Sequence, residues 1–150
     1  MTKQNEWTIG DLLSTSMAYW RGCALQAGVR LGVFTALDNE RLNLSNLTCN
    51  LQSDERETEL LVNALSSMGL LVKEFEYYSN SPAARDLLSQ KSSRYMGHII
   101  LHHHHILDGW AQLDEVVKTG SPAEIRSYGE ETERESFLMG MFKISTTNLK

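Results

Sequence analysis

Ser53–Tyr78, SDERETELLVNALSSMGLLVKEFEYY, is the stretch whose reading decides the fold. Ser53 is suited to cap a helix, with Asp54 and Glu55 in the first turn, where acids meet the positive end of the helix dipole. Leu60, Leu61, Ala64, Leu65 and Met68 recur at helical spacing and predict its buried stripe. Gly69 falls where a helix-ending glycine is expected. Leu70-Leu71-Val72 and Tyr77-Tyr78 then flank the polar turn Lys73-Glu74-Phe75-Glu76, which predicts a small β-hairpin.

Immediately upstream, Asn43 or Ser45 can cap a short helix running through Leu47 and Leu51. Immediately downstream, Ser81-Pro82 opens another helix, with serine at the cap and proline at the first helical position. Short helix, helix, hairpin is the order of a winged helix-turn-helix unit. The predicted class is therefore mainly α, with that unit, one β-hairpin and extra helices at both ends.

The N-terminal helix starts at Thr8-Ile9-Gly10-Asp11, a capping pattern. Its stripe is Ile9, Leu12, Leu13, Trp20, Cys23, Ala24, Ala27, Leu31 and Phe34, while Leu25, Val29 and Val33 lie off it. A helix apolar on more than one side is buried on more than one side, by its own domain or by a partner chain. Met17, Tyr19 and Trp20 crowd three large side chains into one turn, so they cannot all face one core. Gly22, Gly28 and Gly32 predict a break or a close helix contact nearby. Beyond the hairpin, a long helix is expected from about His98 to Lys118, stopping at Gly120-Ser121-Pro122. An acidic loop follows, then a last segment from about Glu135.

Charge narrows the function. The chain carries a formal −5 over 150 residues, a poor general match to nucleic acid or an anionic membrane. In a DNA-reading winged helix the second helix meets phosphates. Here Ser53–Met68 holds four acids against one base, and the hairpin turn is also acidic. Acids there repel the backbone that dominates DNA affinity, so no nucleic-acid partner is expected. No run approaches a membrane span or a secretion signal. Cys23 and Cys49 form no metal-ligand pair, and two lone thiols suit a reducing, cytoplasmic setting.

Four consecutive histidines, His102 to His105, follow His98. His98, His102, His105 and Asp108 could share one helix face, and histidine pairs four apart are zinc-ligand spacing. No cysteine or distant histidine completes a site, so a solvated or pocket-facing set is expected and no metal is assigned.

Several stretches together resemble one family. Ala27-Gly28-Val29-Arg30-Leu31-Gly32-Val33-Phe34-Thr35-Ala36-Leu37, Glu59–Leu71, Tyr78–Ala84, Trp110-Ala111-Gln112-Leu113 with Val117–Gly120, and the spacing Phe137, Met141, Ser145 occur in the order seen in small-molecule O-methyltransferases. That family covers plant caffeate- and flavonoid-type enzymes and bacterial polyketide- and carotenoid-type enzymes. The resemblance implies a winged-helix dimerisation domain over residues 1–120. Residues 121–150 would be the acidic loop and the start of a helix leading to a Rossmann-like domain. It implies S-adenosylmethionine as cofactor of the full-length parent. No glycine-rich turn follows a strand here, so neither catalytic nor cofactor-binding residues are assigned and no cofactor is expected on this chain alone.

The resemblance also implies an intertwined homodimer. In the acceptor-substrate pocket, His104 and His105 would face a small-molecule acceptor and Phe137 and Met141 would supply apolar wall. Met17, Tyr19 and Trp20 would close the partner's pocket. Plain core packing is an equal reading for Phe137 and Met141, and core packing is expected for Trp110. A stand-alone winged-helix ligand-binding or regulatory module, and a pure assembly domain, remain alternatives.

Overall fold

The computed structural model describes residues 6–123 and 131–147. Helix α1 (Ile9–Arg30) opens on the expected capping box: Thr8 accepts from the Asp11 amide while the Asp11 carboxylate accepts from the Thr8 amide. It ends two residues before Gly32, whose φ of +73° lets the chain turn into α2 (Val33–Leu37). Strand β1 (Leu42–Asn43) precedes α3 (Leu44–Leu51), which Asn43 caps. Gln52 in left-handed geometry turns the chain into α4 (Glu55–Ser67). Strands β2 (Leu71–Glu74) and β3 (Tyr77–Asn80) form the hairpin. Ser81 caps α5 (Pro82–Leu88).

The sheet is antiparallel in the order β1-β3-β2, with Leu42 opposite Tyr78 and Leu71 opposite Asn80. Strand β1 is too short to show as alternation in sequence. The core joins α1 to the winged unit: Val29, Val33, Phe34, Leu37, Leu47, Val62, Leu65, Leu71, Tyr78, Ala84 and Leu88 are buried together. A mainly helical chain with a winged helix-turn-helix and a small sheet is the expected class.

Four local readings need correction. Asp54, not Ser53, caps α4 by accepting from the Glu57 amide, while the Ser53 hydroxyl bonds that of Thr58. The helix therefore starts one residue later than expected. Its inner face is Thr58, Val62 and Leu65, one turn apart along one side, and Leu60 is 55 % exposed. The expected helix from His98 to Lys118 is three pieces: α6 (Gly97–His105), α7 (Leu107–Ala111) and α8 (Leu113–Thr119). The helix is interrupted at Ile106 (φ −91°, ψ −4°), whose amide still donates to the His102 carbonyl, and at Gln112 (φ −104°, ψ 16°), whose amide makes a shorter three-residue bond to the Gly109 carbonyl. Histidine, isoleucine, glycine and aspartate around the first break are indifferent helix formers. Trp110, expected in a core, is 65 % exposed on α7.

Gly120 ends α8 at φ +67°. The acidic loop falls largely outside the described residues. Helix α9 (Glu131–Thr147) starts four residues before the expected Glu135. None of the described helices is long and apolar enough to cross a membrane.

Candidate functional site

Helix α6 is held between α1 and α9, and α9 packs mainly on it. The approach is close at Gly140, where an added Cβ would lie 3.0 Å from the Ile99 Cα. Residues three and four apart on a helix share a face. His102 and His105 therefore point the same way from α6, and Glu133 and Phe137 point the same way from α9. The structure pairs them. His102 and Phe137 have ring centroids 5.0 Å apart with planes inclined by 55°. His105 Nδ1 lies 3.7 Å from a Glu133 carboxylate oxygen, both side chains being mostly buried. Further along, Lys143 Nζ donates to the Ser93 carbonyl at 2.8 Å.

The expected site residues divide accordingly. His104 and His105 are half-buried in the α1–α6–α9 region, their rings 5.9 Å apart. Phe137 joins them through His102, a residue that sequence reading assigned to no acceptor contact. Met141, one turn on from Phe137, is exposed. Met17, Tyr19 and Trp20 are exposed on the first half of α1, where Tyr19 and Trp20 meet edge to face at 6.0 Å. Glu133 was missed altogether, although its spacing of four before Phe137 is the signal that could have found it.

Burial holds the His102 imidazole below its ordinary pKa, helped by His103 and His105. Burial does the same to His104, with Arg30 and His105 adding repulsion and Asp108 opposing it. Both rings are thus biased toward the neutral form, able to donate at one nitrogen and accept at the other. Metal is a poor fit. Among the described residues no three His, Cys, Asp or Glu side chains gather closely enough to hold an ion.

Two other surfaces complete the picture. The winged unit's outer face is acidic, and its cations are engaged: Arg41 with Glu74 at 3.2 Å, Arg56 with Glu57, and Lys73 with Asn63 at 2.9 Å. A depression beside α5 is lined by Asp38, Asn39, Arg85, Asp86 and Lys91. Asp38 pairs with Lys91 at 3.1 Å and Asp86 with Arg94, while Arg85 donates to the Asn39 side-chain oxygen at 3.1 Å.

A family model, the O-methyltransferase dimerisation domain, matches residues 13–90. The chain is 34 % identical over 113 residues to the tetracenomycin polyketide synthesis 8-O-methyl transferase of Streptomyces glaucescens, covering 74 % of this chain and 33 % of that protein. An O-methyltransferase family protein from Burkholderia thailandensis superposes with a TM-score of 0.81 at 23 % identity, over 95 % of this chain and 44 % of that one. Human N-acetylserotonin methyltransferase, solved in complex with SAM, gives 0.80 at 21 % identity, over 99 % and 48 %. The chain thus spans a third to a half of the length of these relatives.

Proposed function

This chain belongs to the O-methyltransferase dimerisation-domain family, and we propose from that premise that it is the dimer-forming, acceptor-binding part of a small-molecule O-methyltransferase. Its partner is a second copy of itself, intertwined through α1. Its other partner is a small-molecule acceptor, held in the full-length parent between this domain and one that carries S-adenosylmethionine. Residues 1–120 form the dimerisation unit, and α9 leads toward the cofactor domain.

The observation that supports the reading best is the α6–α9 seam. It sets mostly neutral imidazoles against an apolar ring, the mix of a few polar groups in apolar wall that small-molecule sites use. A neutral histidine there can hydrogen-bond a phenol or enol oxygen. His104 and His105 face the acceptor, with Phe137 and Met141 as wall. Met17, Tyr19 and Trp20, exposed in the single chain, close the partner's pocket in the dimer. Large amphipathic rings and methionine are the side chains enriched at interface centres. The acidic winged face makes nucleic acid an unsuitable partner, and the setting proposed is cytoplasmic.

Sedimentation at micromolar concentration tests the dimer. A species of twice the 17.0 kDa protomer mass is expected, and a clean protomer overturns the assembly. Titration of S-adenosylmethionine into this chain alone is expected to give no heat. Saturable binding would overturn the division of labour between the two domains.

A further inference from the structure

The tip of the β2–β3 hairpin breaks two rules at once. Phe75 is the first residue of a two-residue turn between the paired Glu74 and Tyr77, and its φ is +55°. Glycine suits that place, and a bulky side chain there is strained. The same ring is 95 % exposed, so no burial offsets the strain. Such conformations gather at functional positions. Phe75 also forms part of the wall of an open depression of about 580 Å³, together with Leu44, Glu59, Glu76 and Tyr78.

The depression lies in an acidic setting. Between Ser53 and Tyr77 stand six acids and two bases. Both bases are engaged, Arg56 with Glu57 and Lys73 with the Asn63 side-chain oxygen. Lys73 Nζ also lies 5.0 Å from the Tyr78 ring centroid, and the nearby Arg41 is taken by Glu74. Among the described residues Glu55, Glu59 and Glu76 make no ion pair. An aromatic face beside unpaired carboxylates complements a guanidinium or ammonium on an apolar stem. The ring attracts the cation, the carboxylates pair with it, and the apolar wall takes the stem.

Charge also chooses the class of partner. Nucleic acid and anionic membrane are repelled, and a second copy would set the same acids against these. We propose that the hairpin tip, Phe75 with Glu59 and Glu76, is a docking surface for a cationic segment of another protein, one that presents arginine or lysine next to an aliphatic side chain. This surface is separate from the acceptor pocket, since the tip belongs to the sheet while α9 packs mainly on α6.

The test titrates an acetylated, amidated peptide of alternating arginine and leucine into the isotope-labelled chain at low salt, followed by amide chemical shifts. A peptide with glutamate at every arginine position is the control. The arginine peptide is expected to shift the amides from Lys73 to Tyr78 and those around Glu59, and to bind less tightly as salt rises. The glutamate peptide should leave them in place. Phe75→Gly separates ring from charge, because it removes no charge and suits the left-handed φ. Its urea midpoint should be no lower than that of the unsubstituted chain, while its affinity for the arginine peptide falls roughly threefold to tenfold. Undiminished affinity in that variant would leave Phe75 no part in docking and overturn the proposal. Arginine-peptide shifts that miss the tip, or an equal response to both peptides, overturn it on the unsubstituted chain alone. Tip shifts that appear on raising the protein concentration without peptide would make a second copy the occupant, and tip shifts on adding phosphatidylcholine vesicles would make it a lipid surface. Either result overturns the proposed partner.

Discussion

Phe137 of α9 rests against His102 of α6, ring centroids 5.0 Å apart and planes inclined by 55°. The ring remains 39 % exposed, so it acts as a clasp between two helices more than as a core residue. Tilted aromatic pairs contribute roughly 0.5–1.5 kcal/mol beyond the area they bury. Phe137→Ala is expected to cost about 1 kcal/mol in urea denaturation. The α9 amides should also lose hydrogen-exchange protection while those of α4 keep theirs. Unchanged α9 protection would show that the helix is held elsewhere.

The same helix pair approaches tightly at Gly140. A Cβ there would lie 3.0 Å from the Cα and 3.1 Å from the backbone nitrogen of Ile99. Backbone cannot rotate out of the way as a side-chain tip can, so α9 must lift from α6. Gly140→Ala is expected to destabilise that contact by about 1–3 kcal/mol, the usual scale of overpacking. That outweighs the gain of roughly 1 kcal/mol that alanine brings to a helix interior. Hydrogen exchange localises the effect: loss confined to α9 and α6 is expected, and a stabilised α9 would refute the close approach.

Local chemistry made the winged unit legible. Thr8, Asn43 and Ser81 cap their helices as their side chains suggest, and Gly69 ends α4's turn in left-handed geometry. The α4 stripe was read correctly at Leu65 and Leu61 but wrongly at Leu60, because Leu60 and Val62 are both aliphatic and only the packing of α4 against α1, α3 and β2 selects Val62. Strand β1 has two residues and exists only because β3 is there to pair with it. The candidate site was half legible. The histidine run announced itself. Its partners Glu133 and Phe137 come from a helix about thirty positions away, and nothing local to the run says which imidazole meets which. Trp110 shows the converse, since a large ring on a helix is read as core until α7 is seen to pack mainly on its neighbours in sequence.

Asn80 ties the end of α2 to the sheet. Its Nδ2 donates to the Phe34 carbonyl at 2.8 Å and to the Asp38 carbonyl at 3.0 Å. Asp38 sits at φ +42°, an uncomfortable value for a residue with a side chain, and such a conformation persists only where its surroundings enforce it. Phe34's carbonyl keeps a second donor, the Asp38 amide, whereas Asp38's carbonyl depends on Asn80. Asn80→Ala is therefore expected to cost about 1–2 kcal/mol, read as a lower urea midpoint at an unchanged slope. A cost below about 0.5 kcal/mol, the scale of an ordinary surface change, would mean that the turn holds without its clamp.

Acid should loosen the α6 seam before it touches the carboxylates. Burial holds His102 and His104 below the ordinary imidazole value, with His103 and His105 assisting at the first and Arg30 and His105 at the second. Well above the ordinary imidazole value of about 6.5 both rings are neutral in folded and unfolded chains, and neither contributes a pH dependence. As pH falls through that value the unfolded chain takes up protons first, so stability declines until the lower folded values are passed. Asp38, held below the usual carboxylate range chiefly by Lys91, works in a separate window. Its contribution is present above about pH 4 and is lost as pH falls further. The expected result is a thermal midpoint that drops between about pH 7 and pH 5.5, the range in which unperturbed histidine charges. The slope should flatten in the double variant His102→Asn, His104→Asn. An equally steep slope in that variant would assign the acid sensitivity to other groups and leave these two imidazoles without a role in it.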